Sequence, residues 1–371
     1  MSESEPLLEG RRVEGGAGAH IRIDGRDFLN FAGCNYLALA SRPELKSAAQ
    51  QILDSDSPNS MYLGPAYGCK EEPFQRVEAA AAAFFGTENA VYMPSGYHLG
   101  FAALAGLSPL YDAVVIDELA HYCLTDAARL SDAPVHTFKH GDADALEQVL
   151  ATLPKRTRPL IATDGAFATT GRMAELKRYA ELAERFDGQV IVDESHASGV
   201  VGASGRGAAQ HFNLGDRVHI ATTLSKSFCG LGSVYLGTKD ACARAYVAPP
   251  LRGSSAGSQL AAAVSAAALN LVSSHPQWCA DLREKALYLR QQLRSLGLDV
   301  IETPASIASF GHGSFNDMRQ LQTHLFDKGI YLLHSNYIAA GPSGLLRMSV
   351  FADHSYQQLD QLVDEIGAAL A

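Results

Sequence analysis

The chain has 371 residues, 47% hydrophobic and 19% charged, with 30 Lys and Arg against 40 Asp and Glu for a formal net charge of −10. That apolar content excludes global disorder, and the length suits two or three domains with ample core. The acidic balance argues against a general nucleic-acid binder, which needs a basic face, but leaves room for a local basic patch around a phosphorylated ligand.

Residues 1 to 18 are acidic and then glycine-rich, and are expected to be loose. Short apolar runs follow at Ala90–Met93, Ala113–Ile116, Leu160–Ala162, Val190–Val192 and His219–Ala221, each reading as a strand buried on both faces. Between them, Met173, Leu176, Tyr179, Ala180, Ala183 and Phe186 mark one face of a helix. Strands alternating with helices imply an α/β fold with a parallel central sheet and right-handed crossovers, in which ligands sit beyond the carboxyl ends of the strands. A helical pattern runs from Gln259 to Ser274 and stops at Pro276, and a second spans Trp278–Leu296. The remainder predicts a strand at Asp299–Ile301, a helix over Asp317–Lys328, strands at Gly329–Leu332 and Leu346–Val350, and a final helix. The expected organisation is a large domain over 46–250 and a smaller α+β domain over 251–371, with 259–274 as linking helix and segment 1–45 packed on the small domain.

No apolar run reaches the roughly 18 residues of a membrane span. The start, Met1-Ser2-Glu3-Ser4-Glu5, lacks the basic and apolar blocks of a signal peptide, so a cytoplasmic location is expected. The six cysteines are scattered without a C-x-x-C pair, which fits free thiols and predicts neither a disulfide framework nor a metal site.

Three strand ends hold the informative residues. Val192-Asp193-Glu194-Ser195-His196 places an acid where a strand exits; taken alone, a turn or helix cap is the better reading. Thr222-Thr223-Leu224-Ser225-Lys226-Ser227 sets a lysine among small hydroxyl residues, and Met93-Pro94-Ser95-Gly96-Tyr97-His98 is a turn whose amides can face an anion. Together they suit a pyridoxal 5′-phosphate (PLP) site. Lys226 would form the Schiff base, Asp193 would keep the pyridine nitrogen protonated, and Ser95, Gly96 and Tyr97 would hold the phosphate.

Asp193-x-x-His196 with Gly199, Gly205-Arg206-Gly207 and Thr223-Leu224-Ser225-Lys226 resemble the α-oxoamine synthases. These are fold-type I PLP-dependent transferases that include 8-amino-7-oxononanoate synthase, 2-amino-3-ketobutyrate CoA ligase, 5-aminolevulinate synthase and serine palmitoyltransferase. The resemblance runs from Phe31-x-x-x-Asn35-Tyr36-Leu37 to Leu346-Arg347-Met348 and His354. It implies that His121 stacks on the cofactor ring, that His196 lies near its phenolic oxygen and that Thr223 binds phosphate. Arg347, with Asn35 on the same substrate side, would take the amino-acid carboxylate, and Ser254 would lie where a partner subunit reaches the phosphate, implying a homodimer. The implied reaction condenses an amino acid with an acyl thioester, carried by CoA or a carrier protein, and loses CO2 to give an α-amino ketone.

Several family features are changed. The family's arginine is replaced by Met61 or shifted away in Ser57–Gly64, Phe74 replaces a histidine, and Ala168 in Phe167-Ala168-Thr169-Thr170-Gly171 replaces a serine that binds near the phenolic oxygen. The Pro-rich segment ahead of Arg347 reads Tyr337-Ile338-Ala339-Ala340-Gly341-Pro342. These departures fall on the substrate side and keep a rival open: transamination, decarboxylation, racemisation or aldol-type cleavage with the same cofactor. A non-catalytic protein that kept the fold would have no need of Lys226, Asp193 and Arg347 together.

Overall fold

In the computed structural model, which describes residues 10–15, 18–55 and 70–371, the five apolar runs lie in one seven-stranded sheet. Its strands are β1 (Asn89–Met93), β2 (Ala113–Asp117), β3 (Val135–Phe138), β4 (Pro159–Asp164), β5 (Gln189–Asp193), β6 (His219–Thr223) and β7 (Ser233–Gly237). The spatial order is β1-β7-β6-β5-β4-β2-β3; β7 runs antiparallel to β1 and β6, and the other pairings are parallel. Every residue of β2 and β4 is buried, as continuous apolar strands covered by helices on both faces require. Two strands were not read from the sequence. Val135-His136-Thr137-Phe138 holds two polar residues between apolar ends, which an edge strand such as β3 permits, and β7 is the antiparallel return that βαβ patterning does not anticipate.

Two compact units divide the described chain. The large one takes Leu39–Ala168 and Met173–Ala280; the other takes the described residues of Met1–Ala38 with Thr169–Arg172 and Asp281–Ala371. The expectation that 251–280 belongs with the C-terminal domain is therefore corrected. Helix Gln259–Ser274 packs against helix Glu72–Phe85 within the large unit, and Ala263, Ala266 and Ala267 of one line a hollow with Ala79, Ala80 and Ala83 of the other. Residues 39–45 likewise belong to the large unit.

Within the other unit, strand Arg26–Asn30 pairs antiparallel with His20–Ile23 and parallel with Ile330–Tyr331. A second sheet joins Ile307–Phe310, Leu345–Ser349 and Leu333–Ser335. The expected strand at 299–301 is absent; that stretch is irregular, and Thr303 Oγ1 donates to the Gly171 carbonyl oxygen at 2.5 Å before the chain enters Ile307–Phe310. Helix Phe315–Asp327 opens with a reciprocal capping box between Ser314 and Asp317. Among the described residues no helix is long and apolar enough to cross a membrane.

His354 sits in this unit between Phe31 and Phe351, its ring stacked at 4.4 and 5.4 Å, while its Nδ1 accepts the Phe351 N–H at 2.9 Å. Burial chiefly, with the positive charges of Lys285 and His20 adding, pushes its pKa down to about 3. An unfolded histidine titrates near 6.5, so between those values the unfolded chain holds the extra proton and stability rises with pH. Acidification from pH 7 to 5 is thus expected to destabilise the wild type more than His354→Phe. Urea melts at the two pH values check this, and equal pH slopes for both proteins reject it.

Candidate active site

The parallel strands β2, β4 and β5 end on buried acids, Asp117, Asp164 and Asp193, and β6 ends on Thr223, so one sheet edge of the large unit carries them all. Beyond that edge a cavity of about 150 Å³ is lined by Gly96, Tyr97, His121, Cys123, Asp164, Asp193, Ser195, His196, Thr223, Ser225 and Lys226. A larger hollow of about 890 Å³ between three helices is lined by Ser47 and several alanines, with no lysine, histidine or cysteine and no buried charge among its lining residues.

Each element reaches the cavity for a local reason. Ser95 caps the turn Gly96–His98 by accepting the Tyr97 N–H at 3.2 Å, and the Ser233 hydroxyl on β7 donates to the Ser95 carbonyl at 2.8 Å. Gly96 is required there, because a Cβ would lie 2.9 Å from Thr223 Oγ1. Thr223 Oγ1 is 2.8 Å from Ser225 Oγ, so two hydroxyls converge beside the bare glycine. Lys226 is half-buried on the loop after β6, and Ser227 anchors that loop by donating to the Ser198 carbonyl at 2.6 Å.

Asp193 Oδ1 accepts the Ser195 N–H at 2.9 Å, so the bland turn-forming reading is also true of this residue. Its second oxygen, Oδ2, lies 3.4 Å from Cys123 Sγ. The neighbouring Glu194 does a different job: it accepts the Ala208 and Ala209 N–H groups at 2.8 Å each, and burial raises its pKa to about 7. His121 caps helix Tyr122–Arg129 through Nδ1, and burial holds its pKa below the ordinary value although Asp193 opposes this. The imidazole is therefore neutral near pH 7.

The small unit carries the other predicted residues. The Arg347 guanidinium is buried and donates to Ser349 Oγ at 2.9 Å, the Tyr36 hydroxyl at 3.2 Å and the Gly33 carbonyl at 3.3 Å. Burial pushes the Tyr36 phenol well above its usual pKa even beside that cation, so it stays a neutral anchor. Asn35 precedes Tyr36 in the same segment.

The sequence profile of the aminotransferase class I and II family matches residues 26–366. The chain belongs to that family. It is 32% identical over 359 residues to 8-amino-7-oxononanoate synthase of Thermosipho melanesiensis, covering 94% of this chain and 90% of that one. The 8-amino-7-oxononanoate synthase 1 of Bacillus subtilis is 29% identical over 370 residues, covering 99% and 94%. In fold, the chain matches serine palmitoyltransferase from S. paucimobilis, solved with a bound PLP–myriocin aldimine, at a TM-score of 0.91 and 21% identity, covering 99% and 93%. The 8-amino-7-oxononanoate synthase of Francisella tularensis matches at a TM-score of 0.77 and 22% identity, covering 92% and 98%.

This aminotransferase-family chain is a PLP-dependent enzyme of fold type I. The residues present fit the cofactor: an amine, a buried carboxylate, an imidazole and two hydroxyls beside a glycine-only cradle surround one cavity. Of the sequence-predicted residues, Gly96, Tyr97, His121, Asp193, His196, Thr223 and Lys226 line it, and Ser95 shapes its turn. Tyr97 is exposed, with its hydroxyl bonded to Asp126. Ser254 does not line it; its hydroxyl donates to the Leu251 carbonyl at 3.1 Å. Phe74 is buried and stacked on Tyr92 at 5.8 Å, so that departure has a packing reason. Met61 lies outside the described residues.

Sequence reasoning missed Asp164 and Cys123. The signal for Asp164 was available in Leu160-Ile161-Ala162-Thr163-Asp164, a third buried strand ending on an acid. Nothing in the sequence marked Cys123 beyond its place two residues after His121. His121 Nδ1, Cys123 Sγ and an Asp193 oxygen lie within 4.8 Å of one another, a spacing that would also suit a metal. Burial and the charges of Asp193 and Asp164 push the thiol well above its ordinary pKa, so the sulfur keeps its proton and acts as a hydrogen-bond donor.

Proposed function

We propose that the chain is an α-oxoamine synthase, which condenses an amino acid with an acyl thioester and releases CO2 to give an α-amino ketone. The observation that carries this reading is the convergence of Lys226, Asp193 and His121 on one cavity in a chain whose curated relatives are named 8-amino-7-oxononanoate synthase.

Lys226 Nζ is the covalent anchor of the cofactor. His121 would cover the ring and His196 would lie on the side of its phenolic oxygen. Ser95, Gly96, Tyr97 and Thr223 hold the phosphate. When bound, PLP supplies an electron sink for charge that develops at the substrate Cα. The Asp193 carboxylate keeps the ring nitrogen protonated, which makes that sink effective at neutral pH. Lys226 Nζ, when free of the cofactor, would take the proton from the substrate Cα as general base. The neutral His121 ring covers one face and excludes water from it. Arg347, with Asn35 on the same substrate side, would hold the substrate carboxylate. Ala168 has no hydroxyl, so the hydrogen bond to the phenolic oxygen falls to His196. The reading extends to a cytoplasmic homodimer in which Ser254 reaches the phosphate across the subunit interface.

A fork of two N–H donors on Arg347 implies that Arg347→Lys raises KM for the amino acid about 10- to 100-fold and leaves kcat within about threefold. Steady-state kinetics check this, and an unchanged KM rejects the carboxylate role.

Ala168 also favours a second reading, another PLP reaction on the same amino acid. Visible spectra of the purified protein separate the two when recorded alone, with each amino acid, and after a panel of CoA and carrier-protein thioesters. The synthase reading expects a yellow protein whose band shifts with one amino acid and which releases CO2 only with a thioester. Turnover without thioester selects the second reading. A colourless protein that PLP cannot reconstitute overturns both.

A further inference from the structure

His121 is held at two places by residues that no step above uses. Its backbone N–H donates to Asp164 Oδ2 at 2.9 Å. Its Nδ1 accepts the Cys123 N–H at 3.2 Å and lies 3.0 Å from Cys123 Sγ, and the same sulfur is 3.4 Å from Asp193 Oδ2. A chain of contacts thus runs from Asp164 through His121 and Cys123 to Asp193, and all four residues line the one cavity. Asp164 and Asp193 are paired residues on the adjacent strands β4 and β5, so the chain starts and ends on neighbouring backbone positions of a rigid sheet. Behind it, Gly100 abuts the backbone: a Cβ there would lie 2.2 Å from the Cys123 carbonyl oxygen, which fixes the height of the Cys123 turn.

We propose that Asp164 and Cys123 are positioning residues: the Asp164 carboxyl and the Cys123 N–H fix His121 beside the cofactor site, and the Cys123 thiol steadies the Asp193 carboxylate. The proposal rests on the PLP reading above. The two carboxyls have opposite duties. Asp193 must be ionised to hold a protonated ring nitrogen, and a second buried anion beside it would be repelled. Burial and the Asp193 charge push Asp164 well above the ordinary carboxyl range, and its Oδ2 accepts the His121 N–H. The thiol, likewise kept protonated, can donate to Asp193 without adding charge. Nδ1 of His121 is an acceptor in this arrangement, which selects the tautomer protonated at Nε2.

The test compares Cys123→Ala, Cys123→Ser, Asp164→Leu and Asp164→Asn by PLP titration of each apoprotein, apoprotein melting, and kcat and KM of the reconstituted enzyme. Cys123→Ala and Asp164→Leu are each expected to weaken PLP binding about tenfold and to lower kcat more than they raise KM. Cys123→Ser keeps a donor and Asp164→Asn keeps a neutral acceptor, so each is expected to restore PLP affinity to within about threefold of wild type. Wild-type affinity in Cys123→Ala or in Asp164→Leu overturns the proposal, as does failure of both conservative variants to rescue. Should Asp164→Leu fail to fold, the cysteine pair decides. Loss of affinity that only follows a lower melting temperature also overturns it. A wild-type protein that binds no PLP overturns the cofactor reading, and this proposal with it.

Discussion

Lys226→Ala is expected to lower kcat by about 1,000-fold or more while leaving the apoprotein as stable as the wild type. Under the proposed function two roles would converge on one amine: anchoring the cofactor and carrying the Cα proton. A positioned general base alone contributes about 100- to 10,000-fold, and no second amine is present among the residues that line the cavity. The side chain is half-buried on a loop whose hold on the fold comes from Ser227 and the Ser198 carbonyl, so its truncation removes little packing. Borohydride reduction of the wild-type holoenzyme followed by peptide mapping should place the label on Lys226. Label on any other lysine overturns the assignment.

Asp193→Asn is expected to weaken PLP binding about 10- to 100-fold and to lower kcat at least about 100-fold, with the fold intact. The asparagine oxygen can still accept the Ser195 N–H that shapes the turn. What disappears is the negative charge opposite the ring nitrogen, and an amide nitrogen would then face the Cys123 thiol, donor against donor. Titration of the apoprotein with PLP and steady-state kinetics give both numbers. Full activity in this variant would refute the electron-sink argument. Asp164→Asn, one strand away in register, makes the same chemical change where no charge is needed.

The parts of the molecule legible in the sequence share one property: burial that leaves no choice of residue. β2 and β4 carry apolar runs, Ala113–Ile116 and Leu160–Ala162, because both faces are covered, and Lys226 stands out because its neighbours are small hydroxyls. Val135–Phe138 was hidden by the adjacent polar residues His136 and Thr137, which an edge permits. Asp299-Val300-Ile301 looked like a strand because local propensity cannot tell that the pairing edge is taken up further on, at Ile307–Phe310. The helix Gln259–Ser274 was placed with the wrong domain because an alanine-rich face does not name its partner. The same reason hid Asp164 and Cys123, whose importance lies in register across strands and in a sulfur two residues from a histidine. Arg347 and His121 were legible only through their alignment with a family pattern; each alone is an ordinary residue.

The parallel pairing of Leu29 with Ile330 sets an order of events during synthesis. A ribosome delivers Arg26–Asn30 early and Ile330–Tyr331 near the end, and in between it completes the whole large sheet. The early strand therefore spends most of translation with its second edge unpaired, while the large unit has all its strands and can fold as they emerge. Closing so long a loop adds little entropy cost, because that cost grows only with the logarithm of length, but it delays the last step. Nascent chains stalled before residue 330 should consequently show a protease-resistant large unit and a cleavable N-terminal segment.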